Sequence, residues 1–478
     1  MYGRVCMKIK SVIVIIIGIF LLTGCAGITP NLGSIGKSGN YESKNKIKDF
    51  KKISKDLVKN QKDDLLWQLD AGLISKYAYN YNQSVLFFDK AEKKIKAYNK
   101  KVLAGKLLSN IGATLTNDTF LDYTPKIYEG IMVNTYKGID FLSEGKNAYA
   151  RVEFNRALDR QRRAKAFFAK EIAQEKKKIE KENKKKLKEK NIKGFDLKKA
   201  TKNSKTTSVI EKRYTNLFAF KPYPDFVNPF TNYVAGIYFY NTHDYRKATE
   251  LLKETYGMIK GNEKAASYVK NDLKLAIKAD KSIRLKKSNK HYAWIFFENG
   301  QGATKKEMRI DIPLFLFTSK AYYTGIALPT FKENSEAYSY LIVNNGKKIV
   351  RTKEVADMDK IIKTEFKKRF HTIMVRAIAR TVTQTVIQYQ LRKRGGVIGG
   401  LIGSVYQGAM NRADTRQWKL LPKNFHIARV LLKNPTIKIK NPMGKDILKL
   451  HLDKRNNYMI FIRIINKSGD IIHNEIKF

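Results

Sequence analysis

Three segments of this chain share one small–large spacing, and it restricts the fold around them more than any other feature. Gly72, Gly138 and Gly236 are each followed twelve residues later by Ser84, Ala150 and Ala248. Four residues further on stand Phe88, Phe154 and Leu252, then Ala91, Ala157 and Thr255. Polar turns separate the two halves: Asn80-Tyr81-Asn82, Gly145-Lys146-Asn147 and His243-Asp244-Tyr245. Small residues at these places let two antiparallel helices approach closely, and the large residue fills the gap between them. The spacing predicts tetratricopeptide-like (TPR-like) helix pairs. Apolar residues recur every three or four positions from Ile47 to Lys281, so residues 47–285 are expected to form an α-helical domain. The pairs are not contiguous at the usual period of ~34 residues, so other helices or insertions lie between them.

One insertion is explicit. Within about 171–215, the stretch 176–190 reads KKKIEKENKKKLKEK, with Ile179 and Leu187 its only apolar residues. That is too little for a buried stripe, which predicts a solvated helix extension or loop. Just upstream, Arg151, Glu153, Arg156, Asp159, Arg160 and Arg163 share one expected helix. Glu153–Arg156 and Asp159–Arg163 fall at the three- and four-residue separations where opposite charges neighbour each other. Arg156 and Arg160 are then candidate contacts for an acidic partner lying in a groove of the array.

At Tyr292 the period changes. YAWIFFENGQG, EMRIDIPLFLF, YYTGIALPTF and YSYLIVNNGKKIV are short β-branched and aromatic runs between Gly, Pro and Asn turns, with Asn345-Gly346 marking a tight hairpin. More such runs follow to the C-terminus, so residues 286–478 are expected to be a β-rich, antiparallel, sandwich-like domain. The fold class is therefore α+β. A helical and Gly-rich insertion spans about 355–422 of that domain. Ile362, Phe366, Phe370, Met374 and Ile378 give it one wide apolar face, and Gly395, Gly399 and Gly403 form a small-residue ladder suited to close helix packing.

The N-terminus bears on where such a chain works. Arg4, Lys8 and Lys10 precede an apolar run from Ser11 to Leu22, too short to be a stable spanning helix and shaped like a secretory signal. Leu22-Thr23-Gly24-Cys25 resembles the bacterial lipobox. The resemblance implies removal of residues 1–24, acylation of Cys25 (palmitate and its kin) and a flexible tether over 25–46. The lipid would consume Cys25. With two Cys in the whole chain, neither a disulfide framework nor a multi-thiolate zinc site is available.

The net charge of +51 suggests nucleic acid at first. Removing the leader takes away only three of its basic residues, so the excess belongs to an exported body, out of reach of the chromosome. Anionic lipid or a wall polymer is the partner that such a surface attracts there.

The order of lipobox, helix pairs, β region, amphipathic helix and Gly ladder ends in a polar motif. It reads Ala413-Asp414-Thr415-Arg416-Gln417-Trp418, followed by Leu421-Pro422. Together with Leu65-Leu66-Trp67, RVEFNRALDRQ and NPFTNYVAG, this resembles an uncharacterised family of Gram-negative lipoproteins with TPR-like N-terminal regions. The family carries no known chemistry. Physically, an Asp414–Arg416 ion pair and the Trp418 ring are expected to lock the Gly-rich turn onto the sheet. No catalytic constellation is legible: no HExxH occurs, no GxSxG elbow occurs, and NLGSIGKS at 31–38 lacks the first glycine of a P-loop. No metal and no cofactor are expected.

The leading expectation is a non-enzymatic, lipid-anchored scaffold in the cell envelope, probed outward from the outer membrane into the periplasm, binding envelope proteins through its helix pairs. A second reading is an oligomeric or membrane-active protein using residues 355–408. A third is an unrecognised enzyme on peptidoglycan or lipid.

Overall fold

The computed structural model describes residues 46–109, 122–189, 204–223, 225–281, 290–313, 323–346, 348–381, 383–384 and 412–478. The leader, Cys25, nearly all of the tether, residues 190–203 and the ladder Gly395, Gly399 and Gly403 lie outside them.

The three aligned segments are three helix pairs. The first is α2 (Leu65–Tyr77) with α3 (Tyr81–Leu103), preceded by α1 (Ile47–Lys59). The second is α4 (Ile127–Ser143) with the long α5 (Asn147–Glu189). After α6 (Ser204–Arg213) and α7 (Thr215–Ala219), the third is α8 (Pro229–Asn241) with α9 (Tyr245–Ile259), and α10 (Glu263–Lys281) closes the series. Polar caps start the helices where they start: Asp64 accepts from Trp67 N at 2.8 Å, and Asn228 accepts from Phe230 N at 3.1 Å beside a Pro229 that has no N–H to satisfy.

The alignment extends to the turns. Tyr79, Gly145 and His243 each stand seven residues after the aligned glycine, and all three have left-handed φ (62°, 71° and 63°). Each turn closes with the same long bond: Asn80 N to Ser75 O, Lys146 N to Phe141 O and Asp244 N to Phe239 O, at 2.9, 2.8 and 2.9 Å. This is the Schellman closure, which satisfies the last carbonyls of the first helix. The first turn thus centres on Tyr79, one residue earlier than the Asn80-Tyr81-Asn82 alignment expected. The left-handed site there is filled by a tyrosine, so glycine spacing gives no cue.

The α+β layout is as expected, and its elements change type between Lys281 and Tyr292. β1 (Tyr292–Asn299) is the middle of a five-stranded sheet ordered β11-β10-β1-β7-β6, with β6 Lys353–Asp357, β7 Asn424–Leu431, β10 Tyr458–Ile464 and β11 Ile472–Lys477. β4 (Ile342–Asn345), β5 (Lys348–Arg351), β8 (Thr436–Lys440) and β9 (Asp446–His451) form a four-stranded sheet ordered β5-β4-β8-β9. The β4–β5 hairpin is the one Asn345-Gly346 predicts, with Gly346 at φ 70°. β2 (Thr304–Pro313) and β3 (Tyr323–Lys332) make a separate hairpin.

One pairing departs from the antiparallel expectation: β1 and β10 run parallel, so the larger sheet is mixed. Most of the C-terminal chain separates these two strands, and residue alternation carries no information on strand direction.

Both faces of β1 are buried. Ala293, Ile295 and Phe297 meet Val343, Ile437, Ile439 and Leu450 of the four-stranded sheet, which is the sandwich-like core. Trp294 and Phe296 face the other way, into one core shared with the helix pairs. Phe230 of α8 stacks on Phe425 of β7 with ring centroids 3.8 Å apart. Buried Arg463 of β10 donates to Tyr77 Oη of α2 at 3.1 Å. No boundary of exposed residues separates the helical part from the β part along this seam.

The amphipathic helix is α11, residues 358–381. Its Phe366, Phe370, Met374 and Ile378 pack with Ile210, Tyr214, Ile310, Ile326 and Leu328. Ile179 joins the same cluster, fully buried, so the Lys-rich stretch to Glu189 continues α5 and is not wholly solvated. Most of its partner surface, on β2, β3 and α11, is more than a hundred residues away in sequence, which is why local composition misses it. Among the described residues, no helix is long and apolar enough to cross a membrane.

A Cβ on Gly72 would overlap the Phe88 ring, whereas one on Gly236 would lie 3.1 Å from the aliphatic Leu252. The Phe88 ring has nowhere to go, because Trp418 and Tyr136 pack against it at centroid distances of 5.9 and 6.4 Å. Gly72→Ala is expected to destabilise by about 1–3 kcal/mol, while Gly236→Ala stays near neutral, its strain offset by roughly 1 kcal/mol of helix propensity. Urea denaturation of both variants checks the contrast.

Candidate functional site

A groove of about 1100 Å³ lies between α3 and α5, floored by the first turn of α4. Its walls carry Lys93, Lys96, Lys100, Lys126, Arg156, Arg160, Arg163 and Lys170 against Asp89, Glu92 and Asp159. Ile95, Leu103, Pro125, Ile127 and Phe167 make an apolar strip between these charges. Gly130 belongs to the floor, and a Cβ there would sit a tight 3.2 Å from the guanidinium of Arg160.

Beneath the groove lies a buried ionic network. Lys137, 1% exposed, reaches Asp89, Glu92 and Glu153 at 2.7, 2.8 and 3.0 Å. Asn134 donates to Glu92 at 3.1 Å and to Glu153 at 2.6 Å. Burial pushes the Glu92 carboxyl up, but the Lys137 ammonium and the hydrogen bonds around it more than offset that and hold it well below the usual carboxylate range. Lys137 is desolvated too, yet Glu153 and Glu92 keep its pKa raised. The network joins α3, α4 and α5 and sets the width of the groove.

The two arginines singled out by spacing both line this groove, but neither is spare. Arg156 pairs with Glu153 at 2.5 Å, and Arg160 donates to Asn134 Oδ1 at 2.6 Å and to Glu92 at 3.1 Å. Arg160 is a strut of the network, and the exposed cations of the groove include Lys96 and Arg163, each more than half exposed. The expected Glu153–Arg156 and Asp159–Arg163 pairs both form.

Sequence reading missed Glu92, Asn134 and Lys137, although a signal existed. Gln68, Asn134 and Asn232 are amides four residues before the aligned glycines, in otherwise apolar helices. Asn232 makes the matching contacts in the third pair, accepting from Gln161 at 2.6 Å and donating to Glu254 at 2.8 Å.

Asp414 and Arg416 form the expected ion pair, with Nε–Oδ1 at 2.9 Å and Nη2–Oδ2 at 3.0 Å. Burial raises the Asp414 pKa, but Arg416 outweighs it and leaves the carboxyl below its ordinary value. Trp418 makes its ring contacts with the helix pairs, inside the core that they share with the five-stranded sheet. Fully buried, it lies edge-on between Phe88 and Tyr136 of the helix pairs, at 5.9 and 6.3 Å. Gln417 grips the β side: it accepts from Lys305 N at 2.9 Å and donates to Ala303 O at 2.7 Å. The motif is thus a clamp between the two halves, with its aromatic ring in the socket that the glycine–phenylalanine spacing creates.

Among the described residues, no group of three or more His, Cys, Asp or Glu side chains is placed to hold a metal ion. No protein-family model, no curated protein and no solved structure matches this chain.

Two outcomes follow from the network and the turn beside it. Lys137→Met removes the ammonium that Glu92 and Glu153 share while each keeps an arginine partner, and a loss of about 1–3 kcal/mol is expected in urea denaturation. Glu129, fully buried at the start of α4, accepts from Tyr123 Oη at 2.5 Å and Lys126 N at 2.8 Å, and burial pushes its pKa up to about 7. The native state therefore keeps a proton that the unfolded chain releases above its ordinary value of 4.5, so this group's contribution to stability falls between about pH 4.5 and 7. The melting temperature of Glu129→Gln relative to the parent should rise from pH 5 to pH 8; a constant difference would contradict the assignment.

Proposed function

We propose that this chain is a lipid-anchored scaffold of the bacterial cell envelope, held at the outer membrane through Cys25 and facing the periplasm, which binds an acidic segment of an envelope protein in the groove between α3 and α5. The observation that carries the reading is the groove itself. Eight basic side chains against three acidic ones border an apolar strip, and a basic-rimmed apolar trough suits an amphipathic acidic helix. Recognition needs no catalytic group: the inner charges, Glu92, Lys137, Glu153 and Arg160, hold the helices together, and the exposed cations above them are available to a partner.

The reading that residues 355–408 act on membranes or drive oligomerisation has less support. The apolar face of α11 that it would use is covered by α6 and the β2–β3 hairpin.

Site-specific photocrosslinking in intact cells tests the scaffold. A crosslinker at Leu103 or Phe167 should give a discrete adduct that Lys96→Glu with Arg163→Glu abolishes, while a crosslinker at exposed Tyr149, outside the groove, should give none. Adducts of equal yield from all three positions would refute the groove. Cys25→Ser should release the protein from the membrane fraction, which reads the anchor independently.

A further inference from the structure

A second cavity, of about 90 Å³, lies among the start of α4, α11, β2 and the clamp motif, and its chemistry is unlike that of the groove. Five cations line it (Lys126, Lys305, Arg369, Arg376 and Arg380), against the three carboxylates Glu175, Glu365 and Asp414.

The carboxylates are committed elsewhere. Glu365 accepts from Ile127 N at 3.0 Å and from Arg369 Nε at 3.0 Å. Glu175 meets Arg369 and Arg376 at 3.9 and 3.7 Å, and Asp414 is held by Arg416.

Lys126 and Lys305 are in a different position. Among the described residues neither ammonium has a carboxylate within 4 Å. Lys126 Nζ donates to Thr124 O at 2.8 Å and lies 5.2 Å from the Tyr123 ring centroid, and Lys305 Nζ donates to Arg416 O at 3.3 Å. Two half-buried ammonium groups thus face one cavity with no carboxylate in direct contact, although Glu129, Glu365 and Asp414 act on both from farther away. Burial, and then Lys126 itself, pushes the Lys305 pKa down to about 8. Like charges brought together in a desolvated site repel, unless a counter-charge is shared between them.

We propose that this cavity binds a phosphoryl group between Lys126 and Lys305. Lys126 and Lys305 together present the two positive charges that a dianion matches. The volume is enough for one tetrahedral oxyanion. Thr124 and Thr372 add hydroxyl donors at the rim, and Leu328, Pro329 and Phe366 form one apolar wall. Free phosphate and the phosphorylated end of a small organic molecule both present this group, and the apolar wall favours the second. This cavity adjoins the groove through Lys126, which lines both, but its occupancy does not depend on the scaffold reading.

Calorimetric titration of the full chain with sodium phosphate and with phenyl phosphate, at constant ionic strength set by chloride, tests the proposal. Saturable one-to-one binding is expected. Affinity should fall at least tenfold in Lys126→Met and in Lys305→Met, and should be unchanged in Lys449→Met, which removes an exposed lysine of β9. Tighter binding of phenyl phosphate identifies an organic phosphate as the source, and equal binding identifies the free ion.

No saturable binding of either anion, or an equal loss in all three variants, would overturn the site, the latter marking general attraction to a basic surface. Should a Met variant fail to fold, the parent's melting temperature decides: phosphate must raise it above the value in chloride of equal ionic strength, and no rise refutes the proposal.

Discussion

The first turn of α4 is capped by a carboxylate from the other end of the chain. Glu365 of α11 accepts from Ile127 N and Tyr128 N at 3.0 and 3.4 Å, where the helix leaves its N–H groups without intrahelical partners. The same carboxylate holds Arg369, and Arg369 reaches Glu171 of α5 at 2.6 Å. Three helices are thereby fixed by one buried ion triad, with burial working against the Arg369 charge and the neighbouring glutamates more than restoring it. A buried pair of this kind adds little net stability over an apolar replacement, but breaking it is severe, because a desolvated charge is left behind. What it supplies is placement. Ile127 and Gly130 form the floor of the groove, and Glu365 and Arg369 form a wall of the anion cavity, so both sites take their geometry from this contact.

The shared core makes the same point with apolar atoms. β1 has no solvent face, since one side completes a sandwich and the other receives the helix pairs. Trp418 then enters the socket beside Phe88 and Tyr136, while its neighbour Gln417 is bonded to the start of β2. Removing a glycine from the first pair therefore disturbs more than two helices: the displaced ring pushes on the clamp, and the clamp borders the anion cavity through Asp414.

How much of this was legible depends on the range of the interaction. The helix pairs, their glycine contacts and the Glu153–Arg156 pair depend on residues close in sequence, and spacing exposes them. The position of the first turn was missed because Tyr79 adopts a left-handed φ that glycine or asparagine would normally announce. The role of Arg160 was half legible: its helix face was right, but its partners Glu92 and Asn134 come from other helices. The surroundings of Trp418 and Ile179 were not legible for the same reason, as each packs against elements far away in sequence. The parallel pairing of β1 with β10 leaves no trace in alternation at all.

The net positive charge also changes meaning once burial is known. Of the charged side chains buried among the described residues, eleven are Asp or Glu and five are Lys or Arg. The acids are spent inside, capping α4, pairing Lys76 and Lys137, or holding Arg369 and Arg429. Solvent therefore meets a surface more basic than the composition implies. Such a surface attracts any polyanion at long range, and ionic strength screens that attraction within about 10 Å at 0.1 M salt. Selectivity has to come from places where cations are fixed in geometry and partly desolvated. The groove holds its cations over an apolar strip, and the cavity holds two lysines against each other. These are the two places where the excess charge becomes a shape that a particular acidic partner or phosphoryl group can match.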